Sequence, residues 1–287
     1  MKKIGIISDI HSNKDALYQV LLDMEKRGVD EIICLGDMIT KYIYPRQVVD
    51  TLKSECKILI KGNCDENVVK NENFKYAREQ LGLHNIEYLS ALPVLKQEFL
   101  NELLVNYFHA MPNNISKIYN PLNTKNTNTK EMLLGDKSQI SFAGHTHIPY
   151  IQIVSPKGTQ IVTEHPVFIE KDTSYIVNVG SVGDPLVETT SNKQNWLISE
   201  TMNYVLFTYD TPKPSVEIIN VPYRDLLVKV YMDFVLKQQL DENDKRQYPR
   251  SPKDTQKIYE SLRYQNNMLY NGQKIMEPEE IDHHRIL

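Results

Sequence analysis

The chain has 287 residues, 41% of them hydrophobic and 24% charged, the balance of an ordinary soluble globular protein. Lys and Arg total 33 against 37 Asp and Glu, a formal net charge of -4, which gives nucleic acid or an anionic membrane no electrostatic handle. Its three cysteines, Cys34, Cys56 and Cys64, lack the number and spacing of a disulfide framework, and no run approaches the roughly 20 apolar residues of a membrane span, so a cytoplasmic location is expected.

In chain order, residues 4–8 form a short apolar run ending in Asp9-Ile10-His11. That run is too short for a signal peptide. Asn13 is placed to cap a helix carrying Ala16, Leu17, Val20, Leu21 and Met24 on one face, with Gly28 as its stop. Residues 31–35 predict a second strand ending in Gly36-Asp37, and residues 45–55 a helix with Pro45 in its first turn. A third strand at 57–60 ends in Gly62-Asn63-Cys64-Asp65. This alternation predicts parallel pairing through right-handed crossovers.

Asp65 or Asn67 is the expected cap of a helical region reaching about residue 82, and Leu92-Pro93 marks a turn. Residues 102–108 predict a fourth strand ending in His109. Residues 112–129, rich in Asn, Thr and Lys, read as an exposed loop with little core. Residues 139–143 read as a buried strand, with Gly144 supplying the freedom to turn before His145-Thr146-His147. Antiparallel strands are expected at 151–154, 160–163 and 175–179, then a Gly-rich turn through residues 178–183, and further strands at 196–199, 204–209 and 216–221. From residue 223 the character shifts. Leu226, Leu227, Val230, Phe234 and Val235 fit one helical face, Ile258, Leu262 and Leu269 another, and prolines interrupt the rest. The division expected is a catalytic domain at 1–222 and a helical or irregular extension at 223–287.

Asp9, His11, Asp37, Asn63, His109, His145 and His147 each fall just after an apolar run. Ligands of α/β folds bind at the C-terminal ends of strands, so five strand ends are expected to bring these donors to one edge of a sheet. Clustering carboxylates and imidazoles is costly unless cations offset it. Mixed Asp, Asn and His ligation suits ions such as Mn, Fe or Zn, and the absence of a cysteine pair argues against a structural zinc. An Asp after a strand also serves as a helix cap; within this constellation that reading fails for Asp9 and stays open for Asp65. Cys34 reads as core and Cys56 as a partly buried thiol. His84, His165, His283 and His284 lie outside the pattern and read as surface or satisfied histidines.

Asp9-x-His11, Gly36-Asp37, Gly62-Asn63-x-Asp65, His109 and Gly144-His145-x-His147, in this order, resemble the motifs of the calcineurin-like metallophosphoesterases. The likeness covers about residues 1–210. It is strongest to the small bacterial and archaeal phosphodiesterase branch, whose third motif commonly reads Gly-Asn-Cys-Asp, and an Asn-x-Gly-Ser turn follows at 178–181. The resemblance implies a four-layer α/β/β/α sandwich of two mixed sheets. It implies two divalent metal ions (Mn, Fe, Zn or Ni) bridged by Asp37, with Asp9, His11 and His147 completing one site and Asn63, His109 and His145 the other. It further implies hydrolysis of a small-molecule phosphoester, foremost a diester, by a hydroxide held between the ions. Asp37, Asn63, Cys64 and His109 would then be catalytic, with Asn63 and Ser181 facing the phosphate.

The chain also departs from the pattern it resembles. Protein Ser/Thr phosphatases carry a proton-donating His where Cys64 stands, and a thiol of pKa about 8.5 matches that task less well. They also carry an Arg shortly after Gly-Asp, where this chain reads Met38-Ile39-Thr40, which counts against a phosphoprotein substrate. Phe108 replaces the usual Gly before His109 and is expected to narrow the approach. A phosphomonoesterase is the nearest alternative. A non-catalytic scaffold, as in the retromer coat, is the alternative from another class. The apolar face at 226–235 offers a homo-oligomer contact.

Overall fold

The computed structural model describes residues 1–121, 126–135, 139–184, 186–188, 196–198 and 201–223, with Leu226, Asp233 and Lys237 beyond them. β1 (Lys2–Ile7), α1 (Lys14–Lys26), β2 (Glu31–Cys34), α2 (Pro45–Glu55) and β3 (Cys56–Leu59) follow the order their apolar spacing predicts, and β1, β2 and β3 pair in parallel. The Asn13 side chain accepts the Ala16 N–H at 3.1 Å, and α1 buries Ala16, Leu17, Val20 and Met24.

The next helices differ from expectation. α3 (Asn63–Lys70) starts directly after Gly62, so Asp65 stands in its first turn and accepts the Gly62 N–H at 2.9 Å. It closes the helix start from inside, and neither it nor Asn67 is the cap. In α4 (Lys75–Ala91), Gly82 is a kink with φ 70° and ψ 167°, and helix resumes beyond it. A hairpin, β4 (Leu95–Leu100) and β5 (Leu103–Phe108), then stands where a single strand is expected. β4 lies at a sheet edge with Lys96, Gln97 and Phe99 exposed, so its sequence carries no buried stripe.

α5 (Asn126–Met132) begins inside the predicted loop and runs past its end, and Tyr119 within the loop and Met132 and Leu133 just beyond it are buried against Phe108, Ala143, Tyr150 and Ile176. The Tyr119 hydroxyl, donating to Gln152 Oε1 at 2.7 Å, ties this segment down. The remaining strands are β6 (Ile140–Ala143), β7 (Tyr150–Ser155), β8 (Gly158–Val162), β9 (Val167–Phe168), β10 (Ser174–Asn178), β11 (Leu186–Glu188), β12 (Trp196–Ile198), β13 (Thr201–Tyr209) and β14 (Ser215–Pro222).

Two six-stranded mixed sheets result, ordered β3-β2-β1-β13-β14-β9 and β4-β5-β6-β10-β7-β8, with β11 and β12 paired separately. The strands expected to be antiparallel pair that way, β7 with β8 and with β10, while β10 also runs parallel to β6. Alternation along the strands builds the layers. On β13, Val205, Phe207 and Tyr209 face the second sheet, while Met202, Tyr204 and Leu206 face the helices. Phe142 lies between the sheets, its ring 5.8 Å from Tyr107 and 5.6 Å from Phe207. α1 to α4 cover the first sheet and the α5 segment covers the second, completing four layers.

Tyr223 is buried in the helix-side core, with Leu226 packed against it. The rest of the expected face at 226–235 and the helix at 257–270 lie outside the described residues, apart from Asp233. Among the described residues, no helix is long and apolar enough to cross a membrane.

Candidate metal centre

The seven expected donors do not share one sheet edge. β1, β2 and β3 deliver Asp9 with His11, Asp37 and Asn63 from the first sheet, while β5 and β6 deliver His109 and His145 with His147 from the second. The site is the line where the two sets of strand ends meet. Backbone bonds fasten it: Asp9 N–H to the Gly36 carbonyl at 3.0 Å, His11 N–H to Asp37 at 2.9 Å, and Gly144 N–H to His109 at 2.8 Å.

Five of the seven donors have left-handed backbones: Asp9 (φ 56°), His11 (51°), Asp37 (48°), His145 (69°) and His147 (61°). Such conformations cost residues with a Cβ about 1 kcal/mol or more each and cluster at functional sites. The turn after β6 is therefore made at the histidines themselves. Gly144 serves close approach instead: a Cβ there would meet Ser8 Oγ and lie 2.6 Å from Asp9 Oδ2. Gly62 is constrained in the same way, since its Cβ would lie 2.9 Å from Asp37 Cγ.

Asp9, His11 and His147 form one cluster, and Asp37, His109 and His145 a second. In each, the ligand atoms lie within 4.8 Å of one another, and Asp37 also groups with His11 and Cys64, linking the two. In the first, His147 Nε2 is 3.2 Å from His11 Nε2 and 3.3 Å from Asp9 Oδ1. In the second, His109 Nε2 is 3.4 Å from Asp37 Oδ1. His109 Nδ1 lies 3.1 Å from the Leu35 carbonyl. A carbonyl only accepts, so Nδ1 carries the proton and Nε2 can turn a lone pair to the cluster once its own proton is gone.

The donors fit a cation. Among the described residues the buried Asp9 Oδ1 makes no hydrogen bond, with His147 Nε2 at 3.3 Å and His11 Nε2 at 3.8 Å facing it. The Asn63 amide lies 3.0 Å from His109 Nε2 and 2.9 Å from His145 Nδ1. With its nitrogen toward the rings, the amide donates to both; with its oxygen there, acceptors converge as a cation requires. Charge agrees. Burial pushes the Asp9 carboxyl up, yet His147 and His109 hold it at about 2. Burial likewise disfavours charge on His109 and His147, yet Asp37 and Asp9, respectively, bring each to about 9. A buried pocket that draws protons onto two imidazoles favours positive charge.

Cys64 stands in the first turn of α3, where its N–H donates to Asp37 Oδ1 at 2.8 Å. Burial and Asp37 push its thiol well above the usual range. Ser181 donates to the Asp9 carbonyl at 2.9 Å and accepts the Asp184 N–H at 3.0 Å, bonds that brace the Asp9 loop. Phe108 does not narrow the approach, because its side chain is buried under the α5 segment.

Asp65, Asp184 and Lys41 support the site without a place among the seven donors. Asp65 Oδ1 accepts the Met38 N–H at 2.9 Å while Oδ2 accepts that of Gly62, joining the Asp37 and Asn63 loops. Asp184 pairs with Lys41 and lies 3.3 Å from His147 Nδ1. Its sequence signal is weak: an Asp after the 178–183 turn, with no apolar run directly before it.

Residues 1–202 match the model of the calcineurin-like phosphoesterase superfamily domain. An uncharacterized protein of Methanocaldococcus jannaschii is 27% identical over 257 residues, covering 83% of this chain and 94% of its own length. Among solved structures, a metallophosphoesterase from Sphaerobacter thermophilus superposes with TM-score 0.61 at 23% identity, over 83% of this chain and 93% of that one. A hypothetical protein from Pyrococcus horikoshii gives TM-score 0.60 at 16% identity, over 85% and 95%. These two share the fold.

Proposed function

The chain belongs to the calcineurin-like phosphoesterase superfamily, hydrolases of phosphoester bonds, and from that premise we propose that it cleaves a small-molecule phosphodiester with two divalent metal ions. The observation that carries the reading is the pair of donor clusters linked through Asp37. Asp9, His11 and His147 would hold one ion, Asn63, His109 and His145 the other, and Asp37 both. Bound there, the ions supply Lewis-acid polarisation of the phosphoryl oxygens and an activated water.

The chain's own part is positioning and exclusion. The Leu35 carbonyl fixes the His109 ring, and the Asp65 carboxylate holds the loops bearing Asp37 and Asn63. Lys41 is committed to Asp184, which favours a diester, whose single charge asks for no further cation. Cys64 keeps its proton and is a weak acid, so leaving groups that depart without protonation are favoured. A scaffold would gain nothing from five left-handed donors packed around buried carboxylates. The sparse, irregular cysteines favour a reducing compartment such as the cytoplasm.

The test is hydrolysis of bis(p-nitrophenyl) phosphate against p-nitrophenyl phosphate, as purified, after chelation, and with Mn, Zn, Fe or Ni returned singly. Diester cleavage lost on chelation, restored by an ion and abolished in Asp37→Ala supports the reading. Cleavage indifferent to chelator, or a protein that takes up no metal, overturns it.

A further inference from the structure

His147 differs from His109 in what stands behind it. His109 Nδ1 faces the neutral carbonyl of Leu35. His147 Nδ1 lies 3.3 Å from Oδ2 of Asp184, a buried carboxylate. On the other side of that ring, Nε2 is 3.3 Å from Asp9 Oδ1 and 3.2 Å from His11 Nε2. Asp184 therefore grips one nitrogen while the other faces the first cluster.

The Asp184 loop is itself anchored to that cluster. Gly183 N–H and Ser181 Oγ both donate to the Asp9 carbonyl at 2.9 Å. The Asn13 amide donates to the Gly183 carbonyl at 2.7 Å. Lys41 pairs with Asp184 Oδ2, and the Tyr42 hydroxyl reaches Oδ1 at 3.4 Å. Lys41 and Tyr42 come from the segment after Asp37, so one carboxylate joins the strand ends of β2, β6 and β10.

We propose that Asp184 is the positioning residue for His147: it holds the ring with Nδ1 protonated and Nε2 turned to the cation shared with Asp9 and His11. A carboxylate behind a ligating imidazole fixes its tautomer and strengthens it as a donor, and removing such a partner typically weakens metal binding by about 10–100-fold. The inference rests on the two-cation reading and adds an asymmetry to it. The ion at Asp9, His11 and His147 depends on a charged partner behind its ligands, and the ion at Asn63, His109 and His145 does not.

The experiment is calorimetric titration of the chelator-stripped chain with Mn, comparing wild type, Asp184→Asn, Lys41→Met and His147→Ala. Melting in chelator checks that each variant folds. In D184N one equivalent of Mn is expected to weaken about 10–100-fold while the other binds as in wild type, with kcat reduced and KM unchanged. K41M, which leaves Asp184 on His147, is expected to keep both equivalents; if it weakens the same equivalent as D184N, the ion pair is responsible and the assignment to His147 fails. Two wild-type equivalents in D184N, or both weakened alike, also overturn the role. Loss of one equivalent in H147A with full retention in D184N removes Asp184 alone. Retention in both H147A and D184N removes the two-cation reading as well.

Discussion

A buried imidazole at about 9 is a proton held where a cation could sit, and the centre has two, His109 beside Asp37 and His147 beside Asp9. Cation binding needs the Nε2 lone pairs, so these protons must leave. Loading at pH 7 should therefore release protons, and affinity should rise with pH until about 9 and then level. Calorimetry in two buffers of different ionisation enthalpy measures the release; identical heats in both would contradict it. Gly144→Ala is the sharpest steric test, because its Cβ would sit 2.6 Å from Asp9 Oδ2. Displacing Asp9 should cost about 10-fold or more in metal affinity, read from the same titration. The clustered donors are legible because each follows a buried run. Asp184 and Lys41 are not, since they reach the cluster from turns whose backbone no periodicity describes.

The elements that carry the donors follow the same division. β1, α1, β2, α2 and β3 read correctly because each carries a stripe facing a core on one or both sides. β4 escaped because an edge strand with polar residues on its open face has no such stripe, and α5 because its contacts come from Tyr119, Met132 and Leu133 around a polar sequence. Phe142 is the clearest packing test. It lies fully buried between the sheets beside Tyr107 and Phe207, so Phe142→Ala should lose about 3–5 kcal/mol, measured as a lower urea midpoint with an unchanged slope. Asp65→Ala acts on loops instead. It strands the buried N–H groups of Met38 and Gly62, at about 1–3 kcal/mol for each unsatisfied donor. A stability loss with metal affinity untouched would show that the Asp37 and Asn63 loops hold their shape without it.

For the whole molecule, the sequence places all five donor-bearing strand ends on one edge, whereas the structure divides them between two sheets. Every end carried the same kind of residue, and nothing local says which strand belongs to which sheet. The answer lies in long-range pairing, β13 returning to lie beside β1 and β10 inserting between β6 and β7. The consequence is energetic. The two sheets share an apolar core, and at one end they also share a cluster of buried carboxylates and imidazoles carried on left-handed backbones. In the stripped protein the protonated His109 and His147 of the second sheet face Asp37 and Asp9 of the first across that seam, and a divalent cation that replaces those protons joins the same carboxylates and imidazoles with more charge. Bound metal should therefore act as a clamp between layers as well as a reagent. A cation present at about 1,000 times its dissociation constant adds about 4 kcal/mol to folding. For a chain of this size that amounts to roughly 8–16 °C in Tm. A melt of the loaded and stripped protein measures it directly. An undiminished Tm shift in Asp37→Ala would mean that the stabilising metal does not depend on the residue that links the two clusters.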